Sequence, residues 1–125
     1  MNPAKDTPRI VITQPLIDAY ARLSGDFNPL HVNVEVAAAT PFGGTIAHGC
    51  IPMEPIFKAL HQVAGTPVLP EGTTMSLRYL RPSQPGDCIH LERLDEQGTD
   101  ERLVVFACVN QRGERVIEGR CTLAG

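Results

Sequence analysis

Apolar residues recur at helical spacing through the first half of the chain and at every second position through the second half. PRIVIT, residues 8–13, predicts a short strand. Thr13 is placed to cap a helix over about 15–23, with Pro15 in its first turn, where its missing N–H costs nothing. Leu16, Ile17, Tyr20 and Leu23 share one face of that helix. NVEVAAATPF predicts a short helix ending before Pro41. A longer apolar segment, CIPMEPIFKALHQVAG, places Ile56, Phe57, Leu60, Val63 and Ala64 on a stripe suited to lying on a sheet, with Gly65 and Pro67 stopping it. From about residue 73 the period becomes two, as Met75, Leu77 and Tyr79 alternate with polar neighbours. RPSQPGD, DEQGTDE and QRGE then separate three further strands: CIHLERL, RLVVFACVN and RVIEGRCTL. The third of the four carries a continuous apolar run, which predicts burial on both faces.

Helices first and an antiparallel meander second make the class α+β. A sheet curled around one apolar helix resembles the hot-dog fold, although ferredoxin-like and cystatin-like layouts share the same pattern of elements. At 125 residues the chain is expected to form one domain, residues 1–125, so a single core must also house the function. Eleven basic against 14 acidic residues, with no basic block, exclude nucleic acid as an expected partner. Cys50, Cys88, Cys108 and Cys121 form no C-x-x-C pair and are expected to be buried small apolar residues in a reducing cytoplasm. The N-terminal MNPAKDTPR has no apolar core of a signal peptide, and no stretch reaches the ~18 apolar residues of a membrane span. The expected location is the cytoplasm, away from membranes.

The chemistry concentrates in SGDFNPLH, residues 24–31. Each residue alone is ordinary turn material: an Asx-turn accounts for Asp26, and a hydrogen-bonded structural role accounts for His31. Together they hold a carboxylate and an imidazole on a segment that Pro29 stiffens, a pairing suited to acid–base work.

YARLSGDFNPLHVNVEVAA resembles the signature of the MaoC-like, or hydratase 2, family of (R)-specific enoyl-CoA hydratases and 3-hydroxyacyl dehydratases. TPFGGTIAHG and LRYLRPSQPGD are similar, in order and spacing, to that family's entry to the central helix and to its strand-and-turn. The resemblance extends over about residues 16–90 and implies a hot-dog fold. It also implies that Asp26 and His31 hold one water for syn addition across a trans-2-enoyl thioester, His31 on the hydroxyl side and Asp26 delivering the proton to Cα, with these roles exchangeable. Asn28 would orient the histidine and its loop, and the Gly49 N–H, at the start of the central helix, would hold the thioester oxyanion. No cofactor is implied beyond the coenzyme A or acyl carrier protein that carries the acyl group, and the implied assembly is a homodimer with the site at its interface. No metal is expected, since Asp26 and His31 lack a third ligand at suitable spacing.

Several positions depart from the family pattern. Pro52 and Pro55 crowd the helix entrance, and Pro55 costs a hydrogen bond unless the helix begins late. Glu54 and Phe57 are candidates for the acyl channel, where they would favour short or polar acyl groups. Lys58, Arg78 and Arg81 are candidates for the carrier's phosphate. His48 is expected to tie its loop down by hydrogen bonds, while His61 and His90 have no evident partner. Two other readings stay open from sequence: a non-catalytic hot-dog subunit that binds acyl thioesters, and a hot-dog thioesterase. Hydration and dehydration are the same reaction in opposite directions, and residues do not choose between them.

Overall fold

The computed structural model describes residues 7–94 and 101–124. The N-terminal MNPAKD and most of the DEQGTDE turn lie outside them. The chain runs β1 (Arg9–Val11), α1 (Gln14–Ser24), α2 (Pro29–Val32), α3 (Val34–Ala38), a 3-10 turn (Ile51–Met53), α4 (Glu54–Ala64), β2 (Thr74–Tyr79), β3 (Cys88–Arg93), β4 (Leu103–Val109) and β5 (Arg115–Thr122). All strand pairings are antiparallel, in the order β1-β3-β4-β5-β2. α4 packs on β1, β3 and β4. Ile56 and Leu60 of the helix meet Ile89, Leu91, Val104, Phe106, Val116 and Ile117 in a continuous core. Central strand β4 is buried without interruption from Phe106 to Val109, as its apolar run requires. No helix among the described residues is long and apolar enough to cross a membrane.

The two prolines at the helix entrance are accommodated by a late start. Pro52 falls in the 3-10 turn and Pro55 at the second position of α4, so neither interrupts an established helical ladder. Gly65 caps the far end by donating to the His61 carbonyl. The buried stripe of α4 is Pro55, Ile56, Ala59 and Leu60, rotated from the expected one; Phe57 and Val63 are exposed. A similar rotation affects α1, whose buried residues are Ile17 and Ala21, leaving Leu23 83% exposed. Four buried cysteines were expected, but burial applies to Cys108 and Cys121; Cys88 is half-buried and Cys50 is exposed.

At the other edge of the sheet, β2 pairs with β5, with Leu77 opposite Gly119. A Cβ on Gly119 would collide with the Ser76 carbonyl oxygen and stand 3.2 Å from the Leu77 Cα. Only glycine fits there.

Candidate active site

A relay of short side-chain-to-backbone hydrogen bonds shapes the SGDFNPLH segment. α1 ends when Gly25 turns left-handed and donates to the Ala21 carbonyl. Ser24 Oγ then accepts from the Asp26 N–H at 3.2 Å, Asp26 Oδ1 from the Asn28 N–H at 3.2 Å, and Asn28 Oδ1 from the Leu30 N–H at 3.0 Å. Asn28 thereby caps the single turn α2, with Pro29 at its first position, where a plain turn was expected. Its carbonyl also accepts from the His31 N–H at 2.8 Å. Asn28 acts on His31 through the backbone.

The His31 ring is held from the opposite side. Its Nδ1 lies 2.8 Å from the Ile46 carbonyl oxygen. A carbonyl only accepts, so Nδ1 carries the hydrogen, and the neutral ring keeps a bare lone pair on Nε2. That nitrogen faces Asp26 Oδ2 at 3.7 Å. The His31 side chain is 14% exposed and that of Asp26 53% exposed. The dyad is thus open on the carboxylate side and fixed on the imidazole side.

Residues 45–48 are pinned throughout. Thr45 donates its hydroxyl to Gln14 Oε1 at 2.6 Å, and Gln14 Nε2 donates to the His31 carbonyl at 2.9 Å. Ile46 and Ala47 donate to the carbonyls of Leu30 and Ser83. His48 donates from Nε2 to the Asp26 carbonyl at 2.9 Å and stacks on His31, with ring centroids 3.9 Å apart and planes 25° from parallel. The Tyr20 ring, tilted at 56°, lies 4.7 Å from the same histidine.

Gly49 lies ahead of the 3-10 turn, five residues before α4, and not at the helix N-terminus itself. The Ile51 N–H on the His48 carbonyl fixes the peptide that carries the Gly49 N–H, and among the described residues that N–H has no acceptor. Tyr79 donates its hydroxyl to the Gly49 carbonyl at 2.8 Å. The fit is close, since a Cβ on Gly49 would stand 3.2 Å from the Tyr79 oxygen. An exposed, oriented and unused backbone donor is what a developing oxyanion requires. Cys50 raises the Tyr20 phenol above its ordinary value, helped by burial and the Asp26 charge. Tyr79 is raised by burial first and then by Cys50. Both phenols keep their protons and remain donors at neutral pH.

From Tyr20 and Cys50 a groove of about 510 Å³ runs between α1 and α4, over Leu16, Ala19, Leu23 and Ile51 toward Ile10. Glu54 and Lys58 stand on its wall, 4.0 Å apart, and Lys58 also donates to the Arg9 carbonyl. Phe57 is not among the lining residues and is 37% exposed. The candidate phosphate ligands do not converge. Arg78, opposite Glu118 on β5, lines a separate depression with Leu94 and Arg120, and Arg81 lies 3.5 Å from Glu114. His61 and His90 do have partners, the Thr66 carbonyl and Glu92.

His48 is the third potential metal ligand that sequence spacing did not offer, since its donor atom lies within 4.8 Å of those of Asp26 and His31. The donor set nevertheless fits a metal poorly. Stacked rings with centroids 3.9 Å apart keep their lone pairs in separate, nearly parallel planes, which a single ion cannot lie in at once, and His48 Nε2 is already a donor to a carbonyl. Tyr79, Gln14 and Cys50 were missed as parts of the site. The alternation puts Tyr79 on the same face of β2 as Met75 and Leu77, but it is half-exposed and no local pattern announces that its hydroxyl reaches residue 49.

Residues 2–111 match the family described as the MaoC like domain. The chain belongs to the MaoC-like family. A 3-hydroxybutyryl-CoA dehydratase from Methylorubrum extorquens is 30% identical over 104 residues, covering 78% of this chain and 62% of that protein. The 3-hydroxyacyl-thioester dehydratase Z of Mycobacterium tuberculosis is 41% identical over 54 residues, 43% of this chain and 36% of the relative. This MaoC-like chain therefore spans between 36% and 62% of the length of these curated relatives. An (R)-hydratase from A. caviae superposes with a TM-score of 0.70 at 22% identity, covering 98% of this chain and all of the other, and establishes the hot-dog fold. An R-hydratase from Pseudomonas aeruginosa is 33% identical, with a TM-score of 0.58 over 90% of this chain and 74% of its own.

Proposed function

We propose that the protein interconverts trans-2-enoyl and (R)-3-hydroxyacyl thioesters, with Asp26 and His31 acting through one water. The observation that carries this reading is the pinned imidazole. The Ile46 carbonyl at Nδ1 leaves His31 Nε2 as a base, and that base faces a carboxylate at 3.7 Å. A water between them can donate one hydrogen to each, which turns its oxygen lone pair outward to a substrate. As that oxygen attacks Cβ, its proton passes to Nε2. The double-bond electrons move toward the thioester oxygen, where the Gly49 N–H receives the charge. The proton then passes from His31 to Asp26 and from Asp26 to Cα. One proton leaves the water and one reaches carbon, on the same face, and the dyad ends as it began.

The acyl tail lies along the groove from Tyr20 past Leu16, with Glu54 on its wall, which favours short or polar acyl groups. Coenzyme A or acyl carrier protein supplies the thioester. Of the three candidate cations, Arg81 follows two residues after the tyrosine that touches Gly49 and is the proposed phosphate ligand; Arg78 lines a separate depression and Lys58 the wall of the acyl groove. The open Asp26 side and the exposed Leu23 and Phe27 beside it are covered in a homodimer. Loss of enoyl absorbance with crotonyl-CoA tests the reading. Asp26→Asn and His31→Ala should each lower kcat by at least ~10² with the fold intact. Near-parental turnover in either variant would overturn the mechanism. Sedimentation should show a dimer.

A further inference from the structure

His48 is 3% exposed and touches both halves of the dyad. Its Nε2–H holds the Asp26 main chain through the 2.9 Å bond to the carbonyl, and its ring is the surface on which the His31 ring lies. Because Nε2 donates to a carbonyl, the neutral ring has its bare lone pair on Nδ1, which is buried without a hydrogen-bond partner among the described residues. A loop tether needs one hydrogen bond and leaves no reason for an imidazole. The unpartnered Nδ1 ordinarily carries a penalty, which the tether by itself does not offset. The stacked pair supplies the reason. Among the described residues the His31 ring has one hydrogen bond, at Nδ1, which sets the tautomer and holds that edge while the Nε2 edge can still tilt against the carboxylate. The His48 face, backed by the Tyr20 ring, blocks that motion. It also presents a π-surface to the positive charge that His31 acquires when it takes the water's proton.

We infer that His48 is a positioning residue with two separable parts: its Nε2–H sets the Asp26 backbone and its ring face sets the His31 imidazole. The inference rests on the proposed Asp26/His31 chemistry. Two replacements divide the parts. His48→Gln keeps a donor at about the Nε2 position and loses the ring, whereas His48→Phe keeps a ring to stack on and loses the donor; His48→Ala loses both.

The experiment measures kcat and KM with crotonyl-CoA for the three variants. It also records imidazole ¹H–¹⁵N correlations of the parent and of His48→Gln. His48→Ala should lower kcat about 10²-fold, and each half-replacement should recover part of the loss, leaving kcat about tenfold below the parent with KM changed less than about twofold. In the parent, His31 should be the Nδ1–H tautomer and His48 the Nε2–H tautomer. In His48→Gln, His31 should remain the Nδ1–H tautomer that the Ile46 carbonyl holds, but its ring signals should broaden as the ring moves. His48→Ala within about twofold of the parent would overturn the inference. So would all three variants losing activity equally and only in step with their melting temperatures, or a parent His48 carrying its proton on Nδ1. A parent inactive on every enoyl thioester would instead remove the hydratase reading, and the broadening of the His31 ring signals in His48→Gln would still decide whether His48 fixes that ring.

Discussion

Two aspartates follow glycines of positive φ in this chain, Asp26 after Gly25 and Asp87 after Gly86, and they have come to opposite ends. Asp87 is buried beside the sheet. Its Oδ2 accepts from the Gln84 N–H, and its Oδ1 accepts from Gln111 Nε2 and Arg112 Nη1. Arg112 passes on to Glu114, which Asn110 also holds, and those two contacts keep the Glu114 carboxyl below its ordinary value. Asp26 accepts one backbone N–H, and its other oxygen faces an imidazole lone pair across 3.7 Å. A carboxylate whose acceptor sites are filled is part of the scaffold. One left facing a base, with room for a water, is able to exchange protons.

The sharpest break of this contrast is a pair of alanine variants. Asp26→Ala should lower kcat by at least ~10² with an unchanged unfolding midpoint. Asp87→Ala should leave kcat per folded molecule within a few-fold and reduce unfolding free energy by about 2 kcal/mol, since it strands the Gln84 N–H and the Gln111 amide. Urea denaturation beside a turnover assay measures both. Exchanged phenotypes would show that the two turns have been assigned the wrong way round.

A second test asks how far the site extends toward the sheet. Tyr79→Phe removes the hydroxyl from the Gly49 carbonyl while keeping the ring, and should lower kcat about tenfold without changing stability by more than about 1 kcal/mol. Unchanged kcat would restrict the site to the helical half. A third concerns pH. Burial pushes the Cys108 thiol from 9.0 up to about 12, so folding favours the protonated form. The stability this contributes is complete below 9.0 and falls as pH rises toward 12, with Tyr79 and Cys121 acting in the same sense. Denaturation of the parent and of Cys108→Ala from about pH 8 to about pH 11 should give a shallower decline in the variant. The smallest effect separates the groove from the surface. Glu54→Gln should shift the ratio of kcat/KM for eight-carbon over four-carbon enoyl thioesters upward by a few-fold. Phe57→Ala, lying off the groove, should leave that ratio unchanged.

What could be foreseen follows the range of the interactions. The Asp26–His31 pairing, the Thr13 cap, the Gly65 stop and the change of period near residue 73 are all local, and each is legible in adjacent residues. Which side of α1 and α4 is buried is not, because Leu23 and Phe57 fit an apolar stripe as well as Ala21 and Ala59 do. Packing around Ile17, Ile56 and Leu60 takes the alanines of each stripe and leaves Leu23 for the groove and Phe57 for the surface. The Ile46 carbonyl on His31, the Tyr79 hydroxyl on Gly49 and the Gln14–Thr45 contact join residues 15 to 31 positions apart. A carbonyl carries no side-chain signature, so the group that determines the tautomer of His31 is invisible in the letters.

The missing side chain at Gly119 reaches beyond the strand that contains it. β2 is seated against β5 because nothing projects at that point, and β2 ends in the tyrosine that steadies the Gly49 loop. In a saturation library scored for the proposed hydratase activity, position 119 should therefore be an empty column, intolerant even of alanine, although it lies on the sheet and far along the chain from the motif. Such a column would be mistaken for a catalytic position by anyone reading tolerance alone.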